Sequence, residues 1–176
     1  MPSSTATTRA GTAADRQAIV AVFLGCWLVT YAASLPASLV EAMTPARADA
    51  LWRRVLDDAA AGEVIVAESA TPTGRGIVGV TRWAVEVDRP DALNGAVHSL
   101  YVSPAAQGRG VGATLLAEAT GCLAASGVEI ARLWVFRDNA PSIAFYRRSG
   151  WVPDGCTRVQ DEFGEPEIRL AKAMVG

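Results

Sequence analysis

His98-Ser99-Leu100-Tyr101-Val102, then Ser103-Pro104-Ala105-Ala106, then Gln107-Gly108-Arg109-Gly110-Val111-Gly112, is the stretch that decides how this chain is read. A strand leads into a glycine-rich turn, and the turn opens a helix running through Leu115-Leu116. The first N–H groups of a helix lack intrahelical partners, and the helix dipole adds partial positive charge there. Glycines let those amides approach a phosphate with no Cβ in the way, and Arg109 can add a charge-assisted bond. The plainer alternative is a tight strand-to-helix turn, but glycines at 108, 110 and 112 are more than such a turn needs. No G-x-x-x-x-G-K-[ST] is present, which excludes a P-loop nucleotidase. Gly108-x-Gly110-x-x-Ala113 satisfies the loose dinucleotide pattern. That fingerprint turns directly off its strand and is followed ~20 residues later by an acidic strand end. Here Ser103 to Gln107 intervene, and Asp138 stands too far along.

Working outward, a chain of 176 residues is expected to form a single domain. Hydrophobic residues make up 51% and charged residues 19%, which excludes a disordered polyelectrolyte. Sixteen Lys and Arg against 18 Asp and Glu give a net charge of −2, which argues against nucleic acid as a partner. Cys26, Cys122 and Cys156 have no metal-ligand spacing and read as small buried hydrophobes in a reducing, cytoplasmic setting. With one histidine in the chain, a Cys/His zinc site is not expected, and no G-x-S-x-G elbow is present.

No residue between Arg16 and Glu41 is charged, and Ala18 to Val40 is long enough to span a bilayer. Thr30, Ser34, Pro36 and Ser38 interrupt it, so Ala18 to Val29 reads as a buried helix and no membrane association is expected. A signal-peptide reading would use Arg9 and Arg16 as its charged region, but Asp15 falls inside it. A helix apolar on nearly every side also predicts self-association as a homodimer.

Residues 1–11 are rich in Ser, Thr and Ala and read as a disordered N-terminus before a domain spanning 12–176. A helix is expected from Thr12 or Ala13 to about Ala33, a second from Pro36, and a third from Thr44-Pro45 to Ala60. Strands follow at Val64 to Ala67 and Ile77 to Val87, with a turn at Thr71 to Gly76 and a loop from Asp88 to Gly95. Ala96 to Val102 is a strand, Arg109 to Ala125 a helix, Ile130 to Phe136 a strand and Ala140 to Ser149 a helix. Trp151 to Thr157 and Glu167 to Lys172 close the chain as a strand pair. Adjacent strand runs predict hairpins, while the central strand–helix–strand unit requires a parallel pair. The fold class is mixed α/β.

Gln107-x-x-Gly110-x-Gly112 after Leu100-Tyr101-Val102 resembles the pyrophosphate-binding motif [QR]-x-x-G-x-[GA] of the GNAT superfamily of acetyl-CoA-dependent N-acetyltransferases. Asn139-Ala-Pro-Ser142-Ile-Ala-Phe145-Tyr146-Arg-Arg-Ser-Gly150-Trp151 resembles that family's N-x-x-[SA]-x-x-[FL]-Y-x-x-x-G-[FW] segment. The two blocks stand in the family's order with one strand between them, and Trp27-x-x-x-Tyr31 and Arg169-Leu170 also look like members of the group. The resemblance implies a splayed central sheet flanked by helices, with acetyl-CoA as co-substrate where strands Ala96–Val102 and Ile130–Phe136 part. It implies cofactor contacts from Gln107, Gly108, Arg109, Gly110, Val111 and Gly112. The backbone of Leu100, Tyr101 and Val102 would pair with the pantetheine arm like an added strand. Asn139 and Ser142 resemble residues that hydrogen-bond coenzyme A, although Asn139 also suits a helix cap.

Acetyl transfer to an amine needs a neutral nucleophile and a proton for the leaving thiolate. Keeping a lysine-like amine neutral at pH 7 costs about 4–5 kcal/mol, so a base helps. Tyr146 matches the family tyrosine placed beside the thioester sulfur, which implies a general acid; a core packing role is the alternative. The position matching the usual family glutamate is Ala96, which cannot act as a base. Strand periodicity puts His98 on the same face, and its ordinary pKa of ~6.5 suits a base near neutrality. A structural histidine remains the alternative, with Glu86, Asp88 or water as substitutes. The expected activity is acetyl transfer to a primary amine of a small molecule or peptide. A non-catalytic acyl-CoA-binding module of the same fold is the competing reading.

Overall fold

A computed structural model describes residues 6–72, 74–89 and 92–174, with the side chains of 87–89 and 92 outside that description. Seven strands form one sheet in the order β1-β2-β3-β4-β5-β7-β6. They are β1 (Thr7–Ala10), β2 (Val64–Thr71), β3 (Gly74–Arg89), β4 (Ala92–Val102), β5 (Ile130–Phe136), β6 (Val152–Val159) and β7 (Pro166–Ala173). The helices are α1 (Arg16–Gly25), α2 (Ala37–Ala42), α3 (Pro45–Asp58), α4 (Val111–Ala125) and α5 (Ala140–Arg148). The sheet is mixed: β4 and β5 pair in parallel, joined by α4, whereas β1–β2, β2–β3, β5–β7 and β6–β7 are antiparallel. The expected mixed α/β class is therefore the observed one.

Two compact units are present, each made of two separate stretches of chain. The first comprises the residues up to Arg82 together with Ser99–Ala119. Its interior is built from Ile19 and Phe23 of α1, Ala48 and Trp52 of α3, Val66 and Val80 of the sheet, and Leu115 of α4. Gly79 on β3 lets α4 come close, since a Cβ there would lie 2.8 Å from Leu115 Cδ1 and 3.1 Å from Val111 Cγ1. The second unit comprises Trp83–His98 and the chain from Thr120 onward. On β5 the alternation of Ala131, Leu133 and Val135 turns one face inward, with Leu170 of β7 directly opposite Leu133. Gly95 of β4 faces Leu123 and Val128, where a side chain would collide.

Several boundaries differ from the sequence reading. The expected disorder over 1–11 gives way to β1, which pairs with β2 from Thr7↔Glu68 to Ala10↔Ile65. Backbone pairing, not apolar burial, makes this strand. Arg9 fastens it, bonding to Glu68 at 2.7 Å and to Asp15 at 2.8 Å. Residues 1–5 lie outside the described residues. The helix expected over 12–33 starts where Thr12 N donates to Asp15 Oδ2 at 2.9 Å, but it is not uniform. A 3-10 turn at Ala13–Asp15 precedes α1, which widens into a π turn at Cys26–Thr30 and tightens to 3-10 at Tyr31–Ala33. Ile19, Val22, Phe23 and Trp27 bury one side of this segment, whereas Leu28 and Val29 are exposed. At α3, Arg47 N donates to Thr44 Oγ1 at 3.2 Å, as the Thr44-Pro45 pair predicts.

The β2–β3 turn is tighter than expected, with Thr71 paired to Gly74. The loop expected over Asp88 to Gly95 is mostly strand, because β3 runs to Arg89 and β4 begins at Ala92. The Asp-Arg-Pro-Asp run reads as a loop although only Pro90 and Asp91 separate the strands, and those two lie outside the described residues.

Candidate active site

In the first unit, β4 ends at Val102 and the chain turns through Pro104–Ala106 in a 3-10 turn. Ser103 N donates to Val78 O at 2.8 Å, fixing the exit from the strand. Gly108 and Gly110 then take φ of +73° and +84°, a region that side chains disfavour. Open space surrounds both, so conformation rather than crowding requires glycine here. The earliest bond of α4 runs from Thr114 N to Gly110 O at 3.0 Å. Among the described residues, the amides of 108–113 make no backbone hydrogen bond of close, well-aligned geometry. Arg109 is exposed beside them. Such a run of open amides at a helix start, with an arginine in reach, is built to receive an anion.

The Gln107 side chain is engaged within the protein. Its Nε2 donates to Val102 O at 2.9 Å and to Thr30 Oγ1 at 3.1 Å, so the side chain braces the loop. The Val102 carbonyl also accepts from Cys26 Sγ at 3.0 Å. Both lone pairs of that oxygen are thus used, which removes it from the backbone groups expected to meet an added strand. Burial pushes the Cys26 thiol up to about 11, so it stays an S–H donor near neutrality. Tyr101 sends its ring into an aromatic cluster, with centroids 5.0 Å from Phe23, 6.2 Å from Trp52 and 6.3 Å from Tyr31. Its expected ligand contact is through backbone and is compatible with that placement.

In the second unit, β5 leads through Asp138 into α5. Asn139 is buried and caps the helix, its Oδ1 accepting from Ser142 N at 3.2 Å. Of the two roles read for Asn139, the cap is therefore occupied, and Ser142 keeps only its hydroxyl for a ligand. Tyr146 is 8% exposed, with ring centroids 5.2 Å from Phe145 and 6.3 Å from Trp151. Burial alone pushes its phenol well above the usual tyrosine range, so it holds its proton at neutral pH.

His98 lies on β4 with its Nε2 3.7 Å from Glu86 Oε1 of β3, both side chains part-exposed. Because Gly95 faces Leu123, strand alternation puts Ala96 and His98 on the opposite face, and Arg132 stands in register with Ala96. The side chain of Asp88 lies outside the described residues.

The first unit thus brings Val102 and Gln107–Gly112 together with Cys26 and Thr30. The second joins His98 to Glu86, and Asn139 and Ser142 to the helix that carries Tyr146. Cys26 and Thr30 were missed by the sequence reading. Their signal is faint: one polar-tipped pair four residues apart within an otherwise apolar run.

A model of the acetyltransferase (GNAT) family matches residues 30–151. A mycothiol acetyltransferase of Beutenbergia cavernae is 40% identical over 77 residues, which are 44% of this chain and 25% of that protein. The three curated relatives are matched over only 18–30% of their own lengths. Among solved structures, a GCN5-related N-acetyltransferase from Rhodopseudomonas palustris superposes with a TM-score of 0.74 at 22% identity, covering 98% of both chains. The PaiA N-acetyltransferase of Thermoplasma acidophilum, solved in complex with coenzyme A, gives 0.68 at 18% identity, covering 96% of this chain and 99% of that one. At these identities the structural likeness speaks to fold.

Proposed function

Since the chain belongs to the acetyltransferase (GNAT) family, we propose that it transfers an acetyl group from acetyl-CoA directly to a primary amine of a small molecule or peptide. The observation that carries this reading is the open amide run of residues 108–113 at the start of α4, behind two left-handed glycines. Those amides, with Arg109, suit the pyrophosphate of coenzyme A. Bound acetyl-CoA supplies the thioester: the amine nitrogen bonds to the acyl carbon, the carbon–sulfur bond breaks, and the sulfur leaves with the electron pair.

The backbone of Leu100, Tyr101 and Val102, short of the saturated Val102 carbonyl, borders the pantetheine arm. Ser142 offers its hydroxyl to the cofactor, while Asn139 acts by setting the start of α5. Tyr146 is the acid. Its raised pKa makes donation to a water-solvated thiolate (~8.5 for a cysteine-like thiol) unfavourable. Donation therefore accompanies departure, when the sulfur is desolvated and more basic. His98 takes the proton from the attacking amine, directly or through water, and Glu86 favours the charged imidazole that results. Residues 12–176 work as one N-acetyltransferase domain, in a cytoplasmic homodimer. No nucleic acid or membrane is needed for this chemistry.

A second reading, an acyl-CoA-binding sensor, is favoured by one observation: Ala96, 8% exposed, stands where a glutamate base is usual. Calorimetry with acetyl-CoA followed by thiol release across an amine panel separates the two. The panel includes the acceptors of mycothiol acetyltransferases, given the partial relatives of that name. Binding with thiol release on adding an amine is the expected result. Binding with no release from any amine supports the sensor, and absence of binding overturns both.

A further inference from the structure

The loop of the first unit that leads into α4 is fastened at three points to the end of α1 and the helical segment that follows it. Gly25 lies against Pro104, where an added Cβ would come within 3.2 Å of Pro104 Cδ. Cys26 Sγ donates to Val102 O at 3.0 Å. Thr30 Oγ1 accepts from Gln107 Nε2 at 3.1 Å, and the same nitrogen donates to Val102 O at 2.9 Å. These contacts fall where the helix departs from α geometry. Tyr31 N bonds to Cys26 O, so Cys26 and Thr30 stand at the two ends of one widened turn, and both reach the loop. Such π turns concentrate at functional positions. On its outer side the turn has little apolar support, since Leu28 and Val29 are 61% and 62% exposed.

We propose that Cys26, Thr30 and Gln107 are positioning residues that clasp the π turn to the cofactor loop, so that an anion seated on the loop also fixes the turn. The proposal rests on the coenzyme A reading of residues 108–113. Gln107 directly precedes those amides, and ordering them orders its side chain. The two bonds it donates carry that order to the end of β4 and to Thr30. Linkage makes the effect reciprocal: a variant that frees the turn weakens coenzyme A by the same factor that coenzyme A steadies the turn. The Val102 carbonyl, held from two sides, cannot rotate toward a ligand. Its strand end is therefore set in place before any cofactor arrives.

Hydrogen exchange of the full chain with and without saturating coenzyme A tests this, alongside calorimetry. In the wild type, coenzyme A is expected to slow exchange at 108–113 and also, by ~5-fold or more, at 26–33. Thr30→Val keeps the shape but loses the acceptor. It should abolish the slowing at 26–33, retain it at 108–113, and weaken coenzyme A by ~5-fold or more. Thr30→Ser should restore both. Gln107→Ala, at an exposed position, reads the same bond if Thr30→Val does not fold. Protection confined to the loop in the wild type, or full protection of 26–33 in Thr30→Val and Gln107→Ala, overturns the clasp. If calorimetry detects no coenzyme A binding and neither segment is protected, the loop reading falls and the clasp falls with it. Binding and loop protection without turn protection defeats the clasp alone.

Discussion

Two helices of this chain begin in opposite ways. At α5 every early backbone donor is accounted for. Ala140 N bonds to Asp138 O, Pro141 has no N–H, Ser142 N bonds to the Asn139 side chain, and Ile143 N bonds to Asn139 O. At α4 the amides of residues 108–113 are left open, and two glycines hold the preceding turn in a conformation that other residues resist. Capping is worth about 1 kcal/mol, so the α4 start leaves free energy unrealised in the protein alone. A bound anion would recover it. Both sequence blocks resemble cofactor-binding segments, yet only the first leaves early backbone donors without a close partner in the chain. The other pairs its early donors within the chain.

The most damaging test of that contrast is Gly110→Asp. It places a side chain and a negative charge at the open end of α4, and acetyl-CoA should bind ~100-fold more weakly or worse, about 2.7 kcal/mol. Circular dichroism should show the fold retained, and unchanged affinity by calorimetry would remove the loop from the site. Tyr146→Phe sits on α5 and should leave cofactor affinity intact while lowering turnover ~10²-fold. The raised phenol pKa places loss of its proton, and so any basic limb that it causes, above the ordinary tyrosine value of ~10. Wild-type turnover in this variant would make Tyr146 a packing residue.

His98→Gln keeps size and hydrogen bonding but not basicity. A base must be unprotonated, so wild-type activity should fall as pH drops through the histidine pKa. The variant should lose that acidic limb along with ~10²-fold in rate. An intact profile would pass the role to Glu86, Asp88 or water. Arg109→Ala should cost ~1–3 kcal/mol of acetyl-CoA affinity, and this loss should shrink in high salt.

The smallest effect sharpens the comparison from the other side. Asn139→Ala should lower stability by about 1 kcal/mol, seen as a fall in Tm of ~2–4 °C, with little change in acetyl-CoA affinity. Asn139→Asp should restore the Tm. A large affinity loss in both variants, at unchanged stability, would show that α5 also meets the ligand through Asn139.

The central strand, loop and helix were legible because glycine spacing and strand periodicity are local properties of the chain. β5, α5 and the closing strand pair were legible for the same reason. β1 was not, because three polar residues and an alanine become a strand only once β2 is there to pair with them and Glu68 and Asp15 are there to hold Arg9. The π turn was equally hidden, since nothing in Cys26–Thr30 itself favours it over α geometry. At the candidate site, residue types were readable and directions were not. The motif supplies Gln107, but only tertiary structure shows its amide spent on Val102 and Thr30. The two roles of Asn139 could be separated only by seeing where Ser142 N points.

The interleaving of the two units has a consequence for how this protein can be divided. Chain passes from the first unit to the second within β3, returns within β4, and leaves again within α4. No single break in the polypeptide can therefore release either unit whole. A cut in the chain between β3 and β4 would give two fragments, each carrying pieces of both units. Expressed separately, neither half should fold, while co-expression should reconstitute the protein only if the halves find one another. For the same reason one recombination crossover cannot exchange a unit with a relative as a cassette. Each unit must be inherited as two non-adjacent segments that change together.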